Sequence, residues 1–372
     1  MKIIIAPDKF KGSLTSVEVC KAITEGITQK NKNAEILHFP MADGGDGFNS
    51  VLQHYFHTTP VLVNTVDPLQ RPMQASYQWN EHDRIAIIEM ATASGLVLLK
   101  ENERNPLLTS TYGTGLLIRH ALERGADRVI LGLGGSATND AGIGILFALG
   151  FHFIDETGEE LLPVGESLLK IDRIIPPVSL PLVRIEIAAD VENPLYGTNG
   201  AAYVYGPQKG ADPAMVAQLD RGLRNISAVI EKQFGKQIAG FPGAGAAGGI
   251  AAGLSAFFEV EMKKGVELVL QANGLEKELN NANLVITGEG KIDGQSGLGK
   301  VVGTMAALAR KYKIPCIAFC GILEADNDEI TDMGLASVYP LEAKGLSLEE
   351  SMAKAYPLLV AKTIVAMENM QP

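Results

Sequence analysis

Several strings in this chain put charged or hydrogen-bonding side chains beside glycines, which let a backbone come close to a ligand. After an apolar run, KIIIAP, the chain offers Asp8, Lys9, Lys11 and Ser13. Lysines there suit a carboxylate or a phosphate, although a solvated charged loop would read the same way. After a second run, EILHFP, Asp43 and Asp46 stand among Gly44, Gly45 and Gly47. Paired carboxylates can hold Mg2+ or accept a hydroxyl proton, and an Asx-turn capping a helix uses the same letters. A third string, GLGGSATND, lies between a buried strand, RVILGLGG, and a helical pattern. Amides of Gly134 and Gly135 at a helix N-terminus would face a phosphate, with Ser136, Thr138 and Asn139 as neutral donors and Asp140 beside them.

The segment from Gly294 to Lys300 fits GxxxxGK, the phosphate-loop string. A true phosphate loop has Ser or Thr after the lysine and a strand running straight into the first glycine. Here Val301 follows, and the seven residues Thr287 to Asp293 are expected to separate strand from glycine. What remains is a loop carrying Glu289, Asp293, Gln295, Ser296 and Lys300 at the carboxyl end of a strand. Asp190, Asn193 and Asn199 lie in ADVENPLYGTNG, followed by Gln208 and Lys209; asparagines in turns are most often structural. The small-residue run GAGAAGG at Gly243 is expected to serve packing. Phosphate-cradling backbone, a few lysines and loop carboxylates suffice for phosphoryl transfer, which depends on positioning and charge neutralisation. No Rossmann fingerprint follows the first strand, which counts against a nicotinamide-dependent dehydrogenase. A binding protein without catalysis would not need this density of acids and lysines.

These loops need elements to hold them. KIIIAP and EILHFP alternate with helical spacing at Thr15 to Thr28 and Phe48 to Phe56, and the last ninety residues repeat the pattern with NLVITGEG, a helix from Lys300 to Tyr312, PCIAFCG, ASVYPL and a helix from Leu348 to Met367. Strands separated by helices imply a parallel sheet. The middle differs: VLVNTVDP, QASYQW and RIAIIEM follow one another with turn signals, as hairpins do. The two ends are therefore expected to form one doubly wound domain, residues 1–60 and 283–372, with an α/β domain of residues 61–282 inserted.

Composition leaves a globular protein whose backbone turns tightly or approaches something closely in several places. Of 372 residues, 40 are glycine, roughly a dozen more than usual, without a three-residue period. The hydrophobic fraction of 46% and mean hydropathy of +0.12 can fill cores. A net charge of −11 gives no global attraction to nucleic acid or to an anionic membrane. No apolar stretch is long enough to span a bilayer, and MKIIIAPDKF is too short and too soon charged for a signal peptide. Cys20, Cys316 and Cys320 suggest buried thiols rather than disulfides or a metal site, so a cytoplasmic protein is expected.

Taken in order, APDKFKGSLT, ADGGDG, the GTG at Gly113, GGSATND, DVENPLYGTNGAA with GPQKGA, PGAGAAGG and TGEGKIDGQSGLGK resemble the type 1 glycerate kinase family. The strings run from the N-terminus to Lys300, and seven in sequence are specific where each alone is weak. Two departures are small: Ala141-Gly142-Ile143-Gly144 follows where Gly-Gly-Ala-Gly is usual, and Asp46 stands in place of glutamate. The resemblance implies ATP-dependent phosphorylation of D-glycerate with Mg2+, and a flavodoxin-like α/β domain with a second α/β domain inserted, the active site lying in the cleft between them. It implies substrate contacts from Asp8, Lys9, Ser136, Asn139, Asp140 and Asn193, with Lys11 also in the chemistry and Asp190 or Asp43 as the base. Gly134, Gly135, Gln208, Lys209, Gln295, Ser296 and Lys300 would face the nucleotide, and Glu289 and Asp293 the metal. A small-molecule substrate is the partner it implies; a homodimer is left open.

Overall fold

The computed structural model describes residues 1–43, 48–189, 191–294, 296–297, 299–341 and 345–369, with the side chain of residue 49 excepted. Asp190 and Gln295, expected at the site, fall outside these residues, as does Asp46. In chain order the strands are β1 (Lys2–Ile5), β2 (Glu35–His38), β3 (Thr59–Val66), β4 (Pro72–Asn80), β5 (Ile85–Glu89), β6 (Arg128–Gly132), β7 (His152–Ile154), β8 (Arg173–Ile175), β9 (Arg184–Ala188), β10 (Glu259–Lys263), β11 (Leu284–Ile292), β12 (Cys316–Leu323) and β13 (Ser337–Pro340).

The chain forms two compact units, one of Met1–Tyr55 with Lys264–Pro372 and one of Phe56–Lys263. In the first, both chain ends build one parallel sheet, ordered β13-β12-β11-β1-β2. Counted within this unit, the order is the 2-1-3-4-5 of flavodoxin-like sheets. Ile3, Ile4 and Ile5 of β1 are fully buried, as a central strand covered on both faces must be. Helix Ser16–Lys30 opens with a capping box between Thr15 and Glu18 and buries Val19, Ile23 and Ile27. It meets the helix Ala355–Asn369 through Gly26, where an added Cβ would lie 2.6 Å from the Thr363 Cβ. The expected helix over 348–367 is two helices, Leu348–Ala353 and Ala355–Asn369, because Pro357 cannot extend a helix past the carbonyl four residues earlier.

The second unit carries a six-stranded mixed sheet, β10-β9-β6-β5-β4-β3. β3, β4 and β5 are antiparallel, the hairpin run read from the sequence, whereas β5, β6, β9 and β10 are parallel and joined by crossovers. Both units are thus α/β, and a doubly wound parallel sheet in flavodoxin order carries a second α/β unit within its chain. The division falls at 55/56 and 263/264, where the sequence reading had put 60/61 and 282/283. Helices Gly265–Asn273 and Leu275–Leu279 belong to the first unit, with Leu275 buried and Glu278 paired to Lys2 at 2.6 Å. They cross to β11, so the last loop before that strand is not the boundary.

Candidate active site

In an open parallel sheet, neighbouring connections leave in opposite directions where the strand order reverses, and a crevice opens at the carboxyl ends. In the first unit that reversal lies between β1 and β11, and the acids gather there. Asp8 follows β1, with its amide donating to the Gly288 carbonyl of β11 at 2.8 Å. The exit of β2 is stitched to the exit of β1 by the Met41 amide on the Pro7 carbonyl at 2.9 Å, which places Asp43 alongside. Thr287 bonds the Ala6 carbonyl at 2.9 Å, and Glu289 sits two residues further along β11.

Burial and like charge act together on this group. Asp8 is buried, and its carboxyl is pushed up to about 7, first by burial, then by Asp43, with a smaller push from Glu289; the Lys9 amide and charge oppose this. Glu289 is also raised, chiefly by burial, with Asp43 and Asp293 adding to the shift and Ser296 and Lys300 opposing it. Its Oε1 is buried and has no hydrogen-bond partner among the described residues. Asp293 lies 3.5 Å from the Lys291 Nζ. Lys11 is exposed at the other end of the Asp8 loop, which is pinned where the Ser13 hydroxyl bonds the Met352 carbonyl at 2.8 Å. Among the described residues, no group of three or more His, Cys, Asp or Glu is arranged to hold a metal ion.

β11 corrects one expectation. It runs to Ile292, so Asp293 alone separates the strand from Gly294. Partner β12 extends it over a glycine-containing stretch of weak strand propensity, with Ile292 opposite Leu323. The GxxxxGK string therefore does join strand to helix, with Gly299 left-handed at φ 82° and Lys300 as N-cap of helix Val301–Lys311. Val301 remains as its departure from a phosphate loop. Ser296 is fully buried and accepts from the Asp293 amide at 3.2 Å, while its carbonyl accepts from Gly303, so this loop is closed partly on itself.

In the second unit, the loop after β6 is braced from beneath. Lys209 is 2% exposed, and its Nζ donates to the Ser136 hydroxyl at 2.7 Å and the Thr138 carbonyl at 2.6 Å. Burial lowers this amine to about 7, against the pull of Asp140. Asp140, fully buried, accepts from the Thr111 amide and hydroxyl, both at 2.8 Å, and from the Gly142 amide at 3.0 Å; burial raises it and these bonds oppose the rise. The sequence reading missed Thr111, although the buried hydroxyl run Thr109-Ser110-Thr111 was its signal. The loop does not open a helix as expected: the next helix, Ile143–Ala148, starts beyond Gly142 and is only six residues long. Strand-like contacts shape the loop instead, with Leu96 donating to Gly135 and Ala137 to Ser94, both at 2.9 Å.

Gly134 is exposed, and a Cβ there would meet nothing within 4 Å, while Gly135 is left-handed at φ 72°. Asn139 is 1% exposed, yet neither its Oδ1 nor its Nδ2 finds a partner among the described residues. Asn193 is engaged in its own turn, accepting from Tyr205 at 2.6 Å and donating to the Asn199 carbonyl at 3.0 Å. Gln208 is exposed beside Lys209. The GAGAAGG run does serve packing: Cβ atoms on Gly245 and Gly248 would each lie 2.4 Å from a backbone carbonyl oxygen, those of Pro194 and Thr138.

Two α/β units, one in flavodoxin order with acids at its switch point and one with a glycine loop over a buried lysine, are the frame of a small-molecule enzyme. The glycerate kinase family model matches residues 3–370, and the chain belongs to that family. It is 42% identical over 361 residues to a glycerate kinase from Halalkalibacterium halodurans, covering 96% of this chain and 95% of that protein. It is 41% identical over 359 residues to the glycerate 2-kinase of Escherichia coli K12, covering 96% and 94%. A crystal structure provisionally assigned to glycerate kinase 2 of Salmonella typhimurium LT2 superposes with a TM-score of 0.89 at 38% identity, over 100% of this chain and 98% of that one. The chain is therefore a kinase of this family.

Proposed function

We propose that the protein transfers the γ-phosphoryl group of ATP directly, in line, to D-glycerate, with Mg2+ as the accompanying ion. The observation that carries this reading is the crowd of acids at the switch point of the first unit, where burial and neighbouring carboxylates push Asp8 and Glu289 toward neutrality. Such a donor set fits Mg2+, which takes hard oxygen ligands and commonly one or two carboxylates, with nucleotide oxygens completing its shell. Glu289 and Asp293 would hold it, and the Glu289 Oε1, without a partner among the described residues, is the oxygen suited to do so. Bound there, the ion would draw charge from the phosphates.

The chain's own residues would do the rest. Lys9 and Lys11 would steer the glycerate carboxylate, with Asp8 and Asn139 orienting its hydroxyls. Asp43 or Asp190 would take the proton as the hydroxyl oxygen attacks the γ-phosphorus and ADP leaves. The Gly134, Gly135 and Ser136 backbone and Lys300 would neutralise phosphate charge, while Lys209 would act by holding Ser136 and Thr138 in place. The name of the Escherichia coli relative favours the 2-hydroxyl as acceptor, giving 2-phosphoglycerate. No described helix is long and apolar enough to cross a membrane, and a cytoplasmic enzyme, free or as a homodimer, fits the reading.

A coupled ADP-release assay with D-glycerate tests the activity, and 31P NMR of the product identifies the phosphorylated hydroxyl. ADP should form with D-glycerate, and the product should be the 2-phosphate; no ADP with any hydroxy acid would sink the reading. Wild-type turnover in both Asp43→Asn and Asp190→Asn would remove both from the role of base.

A further inference from the structure

Lys209, the cation that the sequence singles out in the second unit, is committed to the loop it braces. Arg104 is the reverse case. Its Nε is buried, and its guanidinium makes no hydrogen bond or ion pair with any described residue. Arg128 has an unpartnered Nε too, but its Nη2 holds Glu186 at 2.6 Å. Arg71, Arg84, Arg119, Arg124, Arg184 and Arg224 all pair with carboxylates. Glu103, the acid next to Arg104, is itself held by Arg71 at 2.8 Å. In a chain with 43 acids to 32 bases, a half-buried arginine whose Nε is enclosed without an acceptor is suited to an anion that reaches it.

The segment that follows Arg104 packs on a loop holding three more unmet polar atoms of this unit. The segment carrying Arg104 packs on the turn of Lys209: a Cβ on Gly210 would lie 2.8 Å from the Arg104 Cβ and 2.2 Å from its carbonyl oxygen. Two residues on, the Pro106 carbonyl oxygen lies 2.2 Å, and that of Asn139 3.1 Å, from one point, the Cβ position of Gly165. Thr109 then bonds the Ala137 carbonyl at 2.9 Å. Residues 106–109 therefore run along residues 137–139, with Arg104 two residues before them. In that loop Thr138 Oγ1, fully buried, and both amide atoms of Asn139 lack partners among the described residues. A buried amide with donor and acceptor both unmet suits a group that also does both, such as a hydroxyl, and an arginine fork suits an oxyanion.

We propose that Arg104, with Thr138 and Asn139, forms an oxyanion subsite in the second unit that takes a carboxylate or phosphate group of the reactants. A carboxylate beside a hydroxyl, the pattern of a 2-hydroxy acid, matches both Arg104 and Asn139. This rests on the proposed kinase reading only for the identity of the ligand; an anion bound at Arg104 stands without it.

Isothermal titration of the intact protein with D-glycerate alone and with ATP alone gives the test, because binding is read without turnover. Arg104→Gln should weaken one of the two ligands by roughly 10- to 100-fold, the worth of a charge-assisted hydrogen bond, and leave the other within about twofold. Loss for glycerate identifies a carboxylate, and loss for ATP a phosphate. Arg104→Lys, which keeps the charge and loses the fork, should fold if the glutamine variant does not, and should weaken the same ligand less. Asn139→Asp should weaken that same ligand again. Wild-type affinity for both ligands in a folded Arg104 variant, or equal loss for both, overturns the subsite. Failure of the kinase reading would show separately, as wild-type protein that binds an anion through Arg104 yet forms no ADP.

Discussion

The two units meet burial of charge from opposite sides. At the β1–β11 switch point, carboxylates crowd one another, and Asp8 is pushed up to about 7. Under the loop after β6, a lone lysine is enclosed, and its amine is pushed down to about 7. Burial disfavours either charge, so an acid and a base separated by almost seven units in water arrive at the same value. What differs is the remaining demand. The acids leave a carboxylate oxygen without a partner among the described residues, whereas the Lys209 amine donates to two acceptors of the loop it braces. The comparison sets acids with an unmet oxygen against a lysine that braces its own loop.

Glu289→Gln should break the first half of that contrast with the largest effect. It removes the charge from the acid with the unmet oxygen, so kcat/KM with ATP and glycerate should fall by roughly 10²–10³, a loss typical of a group that stabilises charge in the transition state. Thermal stability should rise at the same time, because a buried, crowded charge has been removed. Turnover measured across a Mg2+ series, beside a melting curve, checks both signs; lower stability with unchanged turnover would make Glu289 a structural acid.

A pH series sharpens the opposition. Between about 4 and 7 the native state holds the Asp8 proton that the unfolded chain has released, so this group lowers stability as pH rises. Between about 7 and 10.5 the unfolded chain holds the Lys209 proton that the native state has lost, so this group raises stability as pH rises. The two slopes meet near neutrality. Denaturant melts of Asp8→Asn should lose the falling limb and those of Lys209→Met the rising one, each by on the order of 1–4 kcal/mol across its window. A Lys209→Met difference from wild type that does not vary between pH 7 and 10 would mean that this amine titrates as it does in water.

Much of the frame was legible in the residues. The periodicity of both chain ends and the hairpin spacing of the middle follow from local patterning, and strand-then-loop order put Asp8 and Asp43 at the carboxyl ends of strands. What was not legible depends on distant partners. Lys209 reads as an open cation until Ser136, 73 residues earlier, closes over it. The end of β11 reads as loop because Thr287 to Asp293 has little strand propensity, and only β12 extends it. Arg104 sits in a charged string, ENERNPL, that gives no sign that Glu103 is taken by Arg71. The Gly134 loop seemed to precede a helix because its letters cap helices, yet pairing with Gly95 shaped it instead.

The smallest effect on folding is the sharpest probe of whether the glycine loop also faces a ligand. Gly134 has room for a side chain: an alanine Cβ would meet nothing within 4 Å, and its φ is not in the left-handed region. Gly248 does not, with φ at 78° and a Cβ 2.4 Å from the Thr138 carbonyl oxygen. Gly134→Ala should therefore change stability by no more than about 0.5 kcal/mol, while Gly248→Ala, strained in backbone and in packing, should cost several times that. If the Gly134 backbone closes on a phosphate, the same methyl should still lower kcat/KM by about tenfold, because it stands where the ligand must approach. A Gly134→Ala enzyme with wild-type stability and wild-type kcat/KM would mean that the loop is a brace throughout. The demand for a ligand in the second unit would then rest on Arg104 and Asn139 alone.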